Sequence, residues 1–381
     1  MAAFTNFNYK VEVLSPVYIG GAKENDYALG EDYFFDRETK EYCFFKKREV
    51  VKRFTAQQFS QYANKLAAGL LPEAAQLVAQ VCGQSPKLIF KKLFCPFEVQ
   101  DNIKRHIADG LGKTYLPGST IKGALRSIIG KYIMQKTGKN EFREVDLFGK
   151  IDNNFMRLLQ VADVALDTKG GIYPFKIYSG DVADNLLLNG TQLQYAGEGM
   201  WKHSRVGGHG EYFDEKGFVT FCECLPPTTR GNLRLNWADD LKNLFGPRYS
   251  THNLAISSQV EGHNWMAIAG EQMNNYLTQE KAFYEKFYNE DFDDVFRILE
   301  ELERHNNDQG AVVLRLGQGS GYHAITGNWK YADHTQTGRA DNRGIPINAI
   351  KYKTRKMAFH EKNNAELEFF LPGFVKINIS E

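Results

Sequence analysis

The chain has only five cysteines among 381 residues, too few and too scattered for a disulfide framework. An odd, thinly spread set is typical of a reducing compartment, so we expect a cytoplasmic protein. Cys222 and Cys224 form a lone Cys-x-Cys pair, with no second pair at the spacing of a zinc site. We interpret them as alternating residues of one strand and expect no metal and no cofactor.

Long apolar runs are also missing. No stretch of eighteen apolar residues occurs, so no membrane-spanning helix is expected. The beginning, MAAFTNFNYKVEVLSP, lacks a basic segment followed by an apolar core, so we expect no secretory signal.

The net charge of +1 hides an uneven distribution. Residues 86–131 carry nine Lys or Arg against three acids, and residues 339–362 carry seven against two. Between Glu280 and Glu303 nine acids stand against three bases. Two basic runs and one acidic run suggest a polyanion on one face and a protein neighbour or solvent on another.

Short alternating segments rich in β-formers are interleaved with helical patterns, which predicts an α+β fold. The chain is long enough for two domains, and we expect a division into residues 1–225 and 226–381. The segment EDYFFDRETKEYCFFKKREV predicts a hairpin that turns between Arg37 and Lys40.

The stretch GKTYLPGSTIKGALRS begins with the last three letters of a P-loop. That pattern needs a glycine at the position of Ile107, so a nucleotide-binding P-loop is not predicted. Pro117 and Gly118 predict a turn, and Ser119 or Thr120 is then a natural helix N-cap. Apolar residues follow at helical spacing: Ile121, Leu125, Ile128, Ile129, Tyr132 and Ile133.

Two cations, Lys122 and Arg126, lie one turn apart near the start of this helix. Together with accessible backbone amides and the positive end of the helix dipole, they predict an anion site. The alternative is an ordinary capped amphipathic helix with a solvated basic face. The stretch alone leaves both interpretations open.

A second glycine-rich loop, in LRLGQGSGYHAITGNW, follows a predicted strand directly. A dinucleotide-binding fingerprint would need glycine where Tyr322 stands. A backbone-lined loop that a sugar-phosphate chain can approach fits better, and Tyr322, His323 and Trp329 offer stacking surfaces. A tight connection between strands is the alternative.

Several motifs stand in a fixed order: VLSPVYIGG, EDYFFD, TYLPGSTIKGALRS, CECLPPTTRGNL, LGQGSGYHAITG and LPGFVKI. This series resembles the RAMP superfamily, the RNA-binding proteins of CRISPR systems, and within it the fifth-subunit family of the type III-A Csm complex. The resemblance covers most of the chain, LPGSTIKGALRS is its most specific part, and residues 180–215 have no counterpart. It implies RRM-like (ferredoxin-like) domains built on antiparallel sheets with insertions.

The resemblance also implies a role. Such a subunit caps the 3′ end of the CRISPR guide RNA filament and supports maturation of the guide. Its partners are the guide RNA and other Csm subunits, above all the repeating backbone subunit, with target RNA as a further candidate and no membrane. Implied RNA contacts are Ser119, Thr120, Lys122, Arg126, Gly317, Gly319, Ser320 and Gly321. We also predict RNA contacts from Gly20, Gly21, Lys23, His323, Lys353 and Arg355.

Catalysis is not predicted. RNA cleavage without metal usually needs a histidine, and none of the nine histidines precedes His106. RAMP endonucleases that process guide RNA generally carry one near the first helix. Backbone subunits cut target RNA with an aspartate shortly before the Pro-Gly-Ser motif, for which Asp26, Asp32 and Asp109 are candidates.

His203 and His209 lie in a glycine-rich segment with Lys202 and Arg205. Contact with RNA is one interpretation, and a mobile loop without chemistry is preferred. The sequence therefore predicts a non-catalytic RNA-binding subunit. A RAMP endoribonuclease and a repeating backbone subunit are the alternatives.

Overall fold

The computed structural model describes residues 4–21, 26–99, 102–137, 144–152, 154–180, 187–188, 191–192, 199–204, 208–238, 260, 262–287, 292–319, 336–340, 346–348, 354–361 and 366–380. Its helices are α1 (Lys47–Val51), α2 (Ala56–Ala67), α3 (Leu71–Gln84), α4 (Gly118–Thr137), α5 (Glu144–Phe148), α6 (Asn264–Lys286) and α7 (Asp293–Asn306). Short 3₁₀ turns span Pro86–Leu88 and Phe155–Leu158.

The strands are β1 (Phe4–Val13), β2 (Tyr33–Asp36), β3 (Glu41–Phe45), β4 (Ile89–Phe94), β5 (Tyr115–Leu116), β6 (Leu159–Val161), β7 (Val164–Ala165), β8 (Gly171–Gly180), β9 (Leu187–Leu188), β10 (Thr191–Gln192), β11 (Gly199–Lys202), β12 (His209–Gly210), β13 (Thr220–Cys224), β14 (Arg230–Ala238), β15 (Ala311–Arg315), β16 (Gln336–Ala340), β17 (Pro346–Asn348), β18 (Thr354–Glu361), β19 (Leu367–Phe370) and β20 (Phe374–Ile379). The pairs β5–β7, β9–β10 and β16–β17 form small two-stranded sheets.

The first large sheet has the strand order β15-β20-β1-β14-β6 and is antiparallel throughout. β1 is central, because it pairs with β14 on one side and β20 on the other. Its alternate residues Tyr9, Val11 and Val13 are buried, as expected for a strand with one face against a core.

Helices α4 and α6 contact each other and contribute to the core of this sheet. In α4 the residues Ile121, Leu125, Ile129 and Ile133 are at most 1% exposed. They share one hydrophobic cluster with β1. The apolar stripe predicted for this helix is therefore confirmed.

The second large sheet has the order β12-β11-β8-β18-β19, and β13 also pairs with β8. β11 uses one half of β8 and β13 uses the other. Cys222 and Cys224 lie two residues apart on β13, both buried and both without a disulfide. Their interpretation as alternating strand residues is confirmed.

The third sheet, β2-β3-β4, packs with α1, α2 and α3 around a separate core that includes Tyr33, Phe44 and Val78. β2 ends at Asp36 and β3 begins at Glu41, so the predicted hairpin is confirmed.

Mixed helices and antiparallel sheets make the fold α+β. Both large sheets combine strands from before and after residue 225, so a division there would not separate one sheet from the other. The described acids of the acidic run lie mainly on two helices, α6 and α7. Within the described ranges, no helix is both long and apolar enough to cross a membrane.

Candidate functional site

The two glycine loops lie against each other. The Gln318 amide donates a 2.8 Å hydrogen bond to the Tyr18 carbonyl oxygen. At Gly317, where φ is +76°, a Cβ would lie 2.3 Å from the same oxygen. Glycine is therefore required here by the contact between the loops, since any side chain would push them apart.

A buried histidine attaches a third segment to the first loop. The Ile19 amide donates to His106 Nδ1 at 3.3 Å, and the Ile107 amide donates to the Ile19 carbonyl at 2.8 Å. Because Nδ1 accepts, Nε2 carries the proton and donates to the Tyr115 carbonyl at 3.1 Å. Burial lowers the pKa of His106, which keeps the ring neutral near pH 7. We call residues 17–20, 106–118 and 316–319 the loop junction.

The start of α4 is capped by the chain itself. The helix begins at Gly118, so the prediction of an N-cap at Ser119 or Thr120 is wrong. The Gly118 amide donates to the Asp163 carboxylate at 2.7 Å. A Cβ on Gly118 would lie 2.2 Å from the Val161 carbonyl oxygen. This carboxylate thus takes one of the amides that were expected to receive an anion, while Ser119 remains exposed and Thr120 half-buried.

Lys122 and Arg126 are brought together as predicted, but each also has a contact inside the protein. Lys122 Nζ donates to the Leu159 carbonyl at 2.6 Å. Burial lowers the pKa of its ammonium, and the nearby Arg126 guanidinium lowers it further. Arg126 lies over the Phe148 ring, 4.6 Å from the ring centroid. The two charges form a half-buried cationic spot beside the helix start.

Sequence reasoning missed Arg315, which holds the second glycine loop in place. Its guanidinium donates to the Gly319 carbonyl at 3.0 Å and to the Pro372 carbonyl at 3.1 Å. Burial lowers the pKa of Arg315 to about 9, so it stays charged near pH 7. A lone arginine that ends an apolar strand was the available signal.

Arg355 does not reach the surface, which corrects its assignment as an RNA contact. It is 6% exposed and its guanidinium makes two bonds of 2.8 and 3.0 Å to the Glu280 carboxylate. Glu280, which was expected on the acidic surface, is also buried, at 1% exposed. Since successive strand residues point to opposite faces, the next residue, Lys356, lies on the other side of β18.

Lys356 lies beside the loop junction and was missed by the sequence prediction. Its Cβ is 3.5 Å from the position that a Cβ on Gly319 would take. Burial lowers the pKa of its ammonium. Within the described part of the chain, no carboxylate is paired with it. The second basic run thus contributes a cation to the loop junction, but this cation is Lys356 and not the predicted Arg355.

Gly20 and Gly21 are exposed at the end of the first loop. Five other predicted contacts lie outside the described residues: Lys23, Ser320, Gly321, His323 and Lys353.

The candidate catalytic groups have structural partners. Asp26 pairs with Lys104 at 2.5 Å, Asp32 accepts a bond from the amide of residue 28, and Asp109 accepts two bonds from its own turn. His203 lies 3.9 Å from the Asp214 carboxylate, and His209 belongs to β12. Among the described residues, no three His, Cys, Asp or Glu are grouped as a metal site.

Comparison with known proteins gives a family. The family model described as the RAMP superfamily matches residues 10–380. No curated protein sequence matches. A chain of "Cryo-EM structure of Csm-crRNA-target RNA ternary complex in type III-A CRISPR-Cas system" is similar in fold, with a TM-score of 0.63 and 14% identity over 98% of this chain and 100% of that chain. "Crystal structure of T.onnurineus Csm5" gives a TM-score of 0.54 and 14% identity over 81% of this chain and 90% of that one. With the family model covering nearly every residue, the chain belongs to the RAMP superfamily.

Proposed function

We propose that this protein is a guide-RNA-binding subunit of a type III-A (Csm) CRISPR effector complex, one that caps the 3′ end of the guide and supports its maturation. Family membership supports RNA binding in a CRISPR system. The likeness in fold to a Csm complex chain and to a Csm5, over nearly the full length of both, supports this particular subunit.

The fold of the first sheet is proposed to be RRM-like. In chain order, β1, α4, β6, β14, α6 and β20 follow the βαββαβ plan of ferredoxin-like folds. Their strands lie in the order β20-β1-β14-β6, and β15 is added at one edge. The glycine-rich loop therefore lies between the second helix of the plan and its last strand.

The observation that carries the proposal is the loop junction. Three segments far apart in the chain meet there, with exposed backbone at Gly20 and Gly21. Lys356 of β18 approaches the second loop at Gly319, and Lys122 and Arg126 follow the third segment on α4. Backbone amides together with lysines and arginines suit a phosphate chain better than a single charged ligand.

The proposed partners follow from charge. The basic runs lie on the RNA side, while the exposed acids of α7 face solvent or a neighbouring Csm subunit, above all the repeating backbone subunit. The protein contributes binding and position rather than a cleavage step, because its candidate aspartates hold local structure.

The test measures RNA binding against salt. Replacing Lys122 and Arg126 by Ala should weaken binding for every RNA sequence alike, because phosphate contacts carry no sequence information. The slope of log affinity against log salt should become shallower by about one to two units, because each lost phosphate contact contributes roughly 0.7. Lys136→Ala, at the exposed end of the same helix, is the matched control.

An unchanged salt slope in a folded double variant would contradict the assignment of these residues. The subunit role is tested separately by native mass spectrometry of the complex purified with its RNA. One copy, cross-linked to the 3′-terminal guide nucleotides, is expected. Many copies per guide would show a backbone subunit, and metal-free cutting of repeat RNA by the purified protein would show an endoribonuclease.

A further inference from the structure

A groove of about 1150 Å³ lies beside the loop junction. One wall comes from the third sheet and α3, and the other from residues 105–114 and 168–169. Its volume exceeds the roughly 300–1,000 Å³ of pockets for small molecules. The groove is therefore sized for a segment of a chain.

The wall formed by residues 105–114 and 168–169 is cationic. Arg105, Lys113 and Lys169 line the groove, and none of them has a carboxylate partner within the described ranges. The cations on the sheet side differ, because each is paired: Lys91 with Glu223, Lys92 with Glu41 and Arg37 with Glu98. Positive charge that the protein does not neutralise is thus concentrated on one wall.

The same wall holds an unsatisfied hydroxyl. Thr114 is 6% exposed, lines the groove, and its Oγ1 has no hydrogen-bond partner. It closes the Gly-Lys-Thr segment, whose turn is shaped by Gly112 at φ +79° and by the Asp109 carboxylate. Buried polar atoms are nearly always bonded, so this hydroxyl is an unsatisfied polar group beside the cations of the wall.

The opposite wall presents an aromatic ring. Phe90, on the edge strand β4, is 57% exposed and lines the groove. Phe94, four residues along, is 51% exposed but lies outside the groove lining. An exposed ring opposite unpaired cations is the arrangement that binds single-stranded nucleic acid, since bases stack on rings while cations meet phosphates.

We propose that this groove binds a single-stranded segment of RNA, with phosphates at Arg105, Lys113 and Lys169 and a base stacked on Phe90. The inference rests on the proposed function and extends it to a second binding surface. RNA is favoured over a peptide because the cations without a carboxylate partner lie on one wall and a stacking ring lies on the other. The acids that line the groove, Asp32, Asp36 and Glu38, belong to the sheet side, where Asp32 and Asp36 accept bonds from backbone amides. The segment that lines the groove belongs to the loop junction from His106 onward, so one RNA chain can occupy both.

The experiment compares two rings on one strand. Phe90→Ser should weaken binding of a labelled single-stranded RNA by roughly 5- to 140-fold, the range of one lost base stack. Phe94→Ser removes an equally exposed ring outside the groove and should leave affinity within twofold. Phe90→Leu, which keeps an apolar side chain, should also weaken binding if stacking is the interaction. RNA that carries 5-iodouridine should cross-link to the peptide with Phe90.

The cations are tested by replacing Arg105, Lys113 and Lys169 with Gln together. The slope of log affinity against log salt should fall by about two units, at roughly 0.7 per phosphate. Lys286→Gln, on the exposed end of α6, should leave the slope unchanged.

The outcomes separate the two proposals. Wild-type protein that binds no RNA would overturn both. Wild-type protein that binds RNA, with normal affinity and salt slope in the groove variants and no cross-link at Phe90, would overturn the groove assignment alone. Normal RNA binding by Phe90→Ser with loss of assembly into the complex would show that a protein neighbour fills the groove, which also overturns it.

Discussion

Gly317 has a left-handed backbone and no room for a side chain. A Cβ at this position would lie 2.3 Å from the Tyr18 carbonyl oxygen. Gly69 has a similar φ of +71° but no atom within 4 Å of that place. Gly69→Ala should therefore cost about 1–2 kcal/mol of unfolding free energy through its backbone alone. Gly317→Ala should cost clearly more, because the two loops must also separate.

Urea unfolding of the two variants measures this difference. Equal losses of stability would mean that the loops separate without cost. RNA affinity per folded molecule should fall in Gly317→Ala only, since the loop junction is displaced there and not at Gly69.

Among elements, the beginning of α4 depends on one carboxylate from the segment between β6 and β7. Asp163→Ala removes the acceptor of the Gly118 amide and should lower the unfolding free energy by about 0.5–2 kcal/mol. Asp167→Ala, which removes an exposed acid just beyond β7, should change it by less than about 0.5 kcal/mol.

RNA binding gives Asp163→Ala a second readout. If guide phosphates approach this helix start, removal of the negative charge raises affinity per folded molecule. An unchanged affinity would place the phosphates away from the first turn of α4.

The elements that the sequence predicts well are those specified by neighbouring residues. The stripe of α4 and the β2–β3 hairpin depend on spacing within one segment, and both are present. The cap of α4 and the burial of Arg355 depend on partners far along the chain, Asp163 and Glu280. Local sequence patterns do not predict such pairings, because tertiary packing determines them.

The candidate site shows the same division. The sequence analysis identified the three segments of the loop junction. The contacts between them, and the hydrogen bond from Arg315 to the Gly319 carbonyl, are visible only in the structure. The second basic run was found, but which of its side chains faces the junction depends on the register of β18, which placed Lys356 there and buried Arg355.

At the scale of the whole molecule, we expect the acidic residues of α7 to lie on a different face from the RNA. Asp293 is exposed at the start of α7, and Asp294 is linked to Arg297 at 3.0 Å. Reversing both to Lys should leave affinity for isolated guide RNA unchanged or slightly raised, because like charges repel within about 8 Å and we therefore expect α7 to lie away from phosphate. Incorporation into the assembled complex should fall if this face meets a neighbouring subunit.

Reversing Glu49 and Glu73, exposed acids on α1 and α3, gives a control with the same change in net charge. The measurements are RNA binding of the purified protein and the yield of complex that contains it. Loss of binding to isolated RNA by a folded Asp293 and Asp294 variant would mean that RNA lies on the acidic face.

The pairing of β1 with β20 has a consequence for synthesis. Tyr9 lies opposite Ile379, so β1 cannot pair with one of its two neighbours until about 370 further residues have been synthesised. At about 5–20 residues per second, that delay is on the order of 20–75 s. During this time the backbone groups of β1 that later pair with β20 have no strand partner. The third sheet and its helices lie between residues 33 and 94 and can assemble early. We therefore expect the nascent chain to carry a folded third sheet while β1 has only β14 as a neighbour.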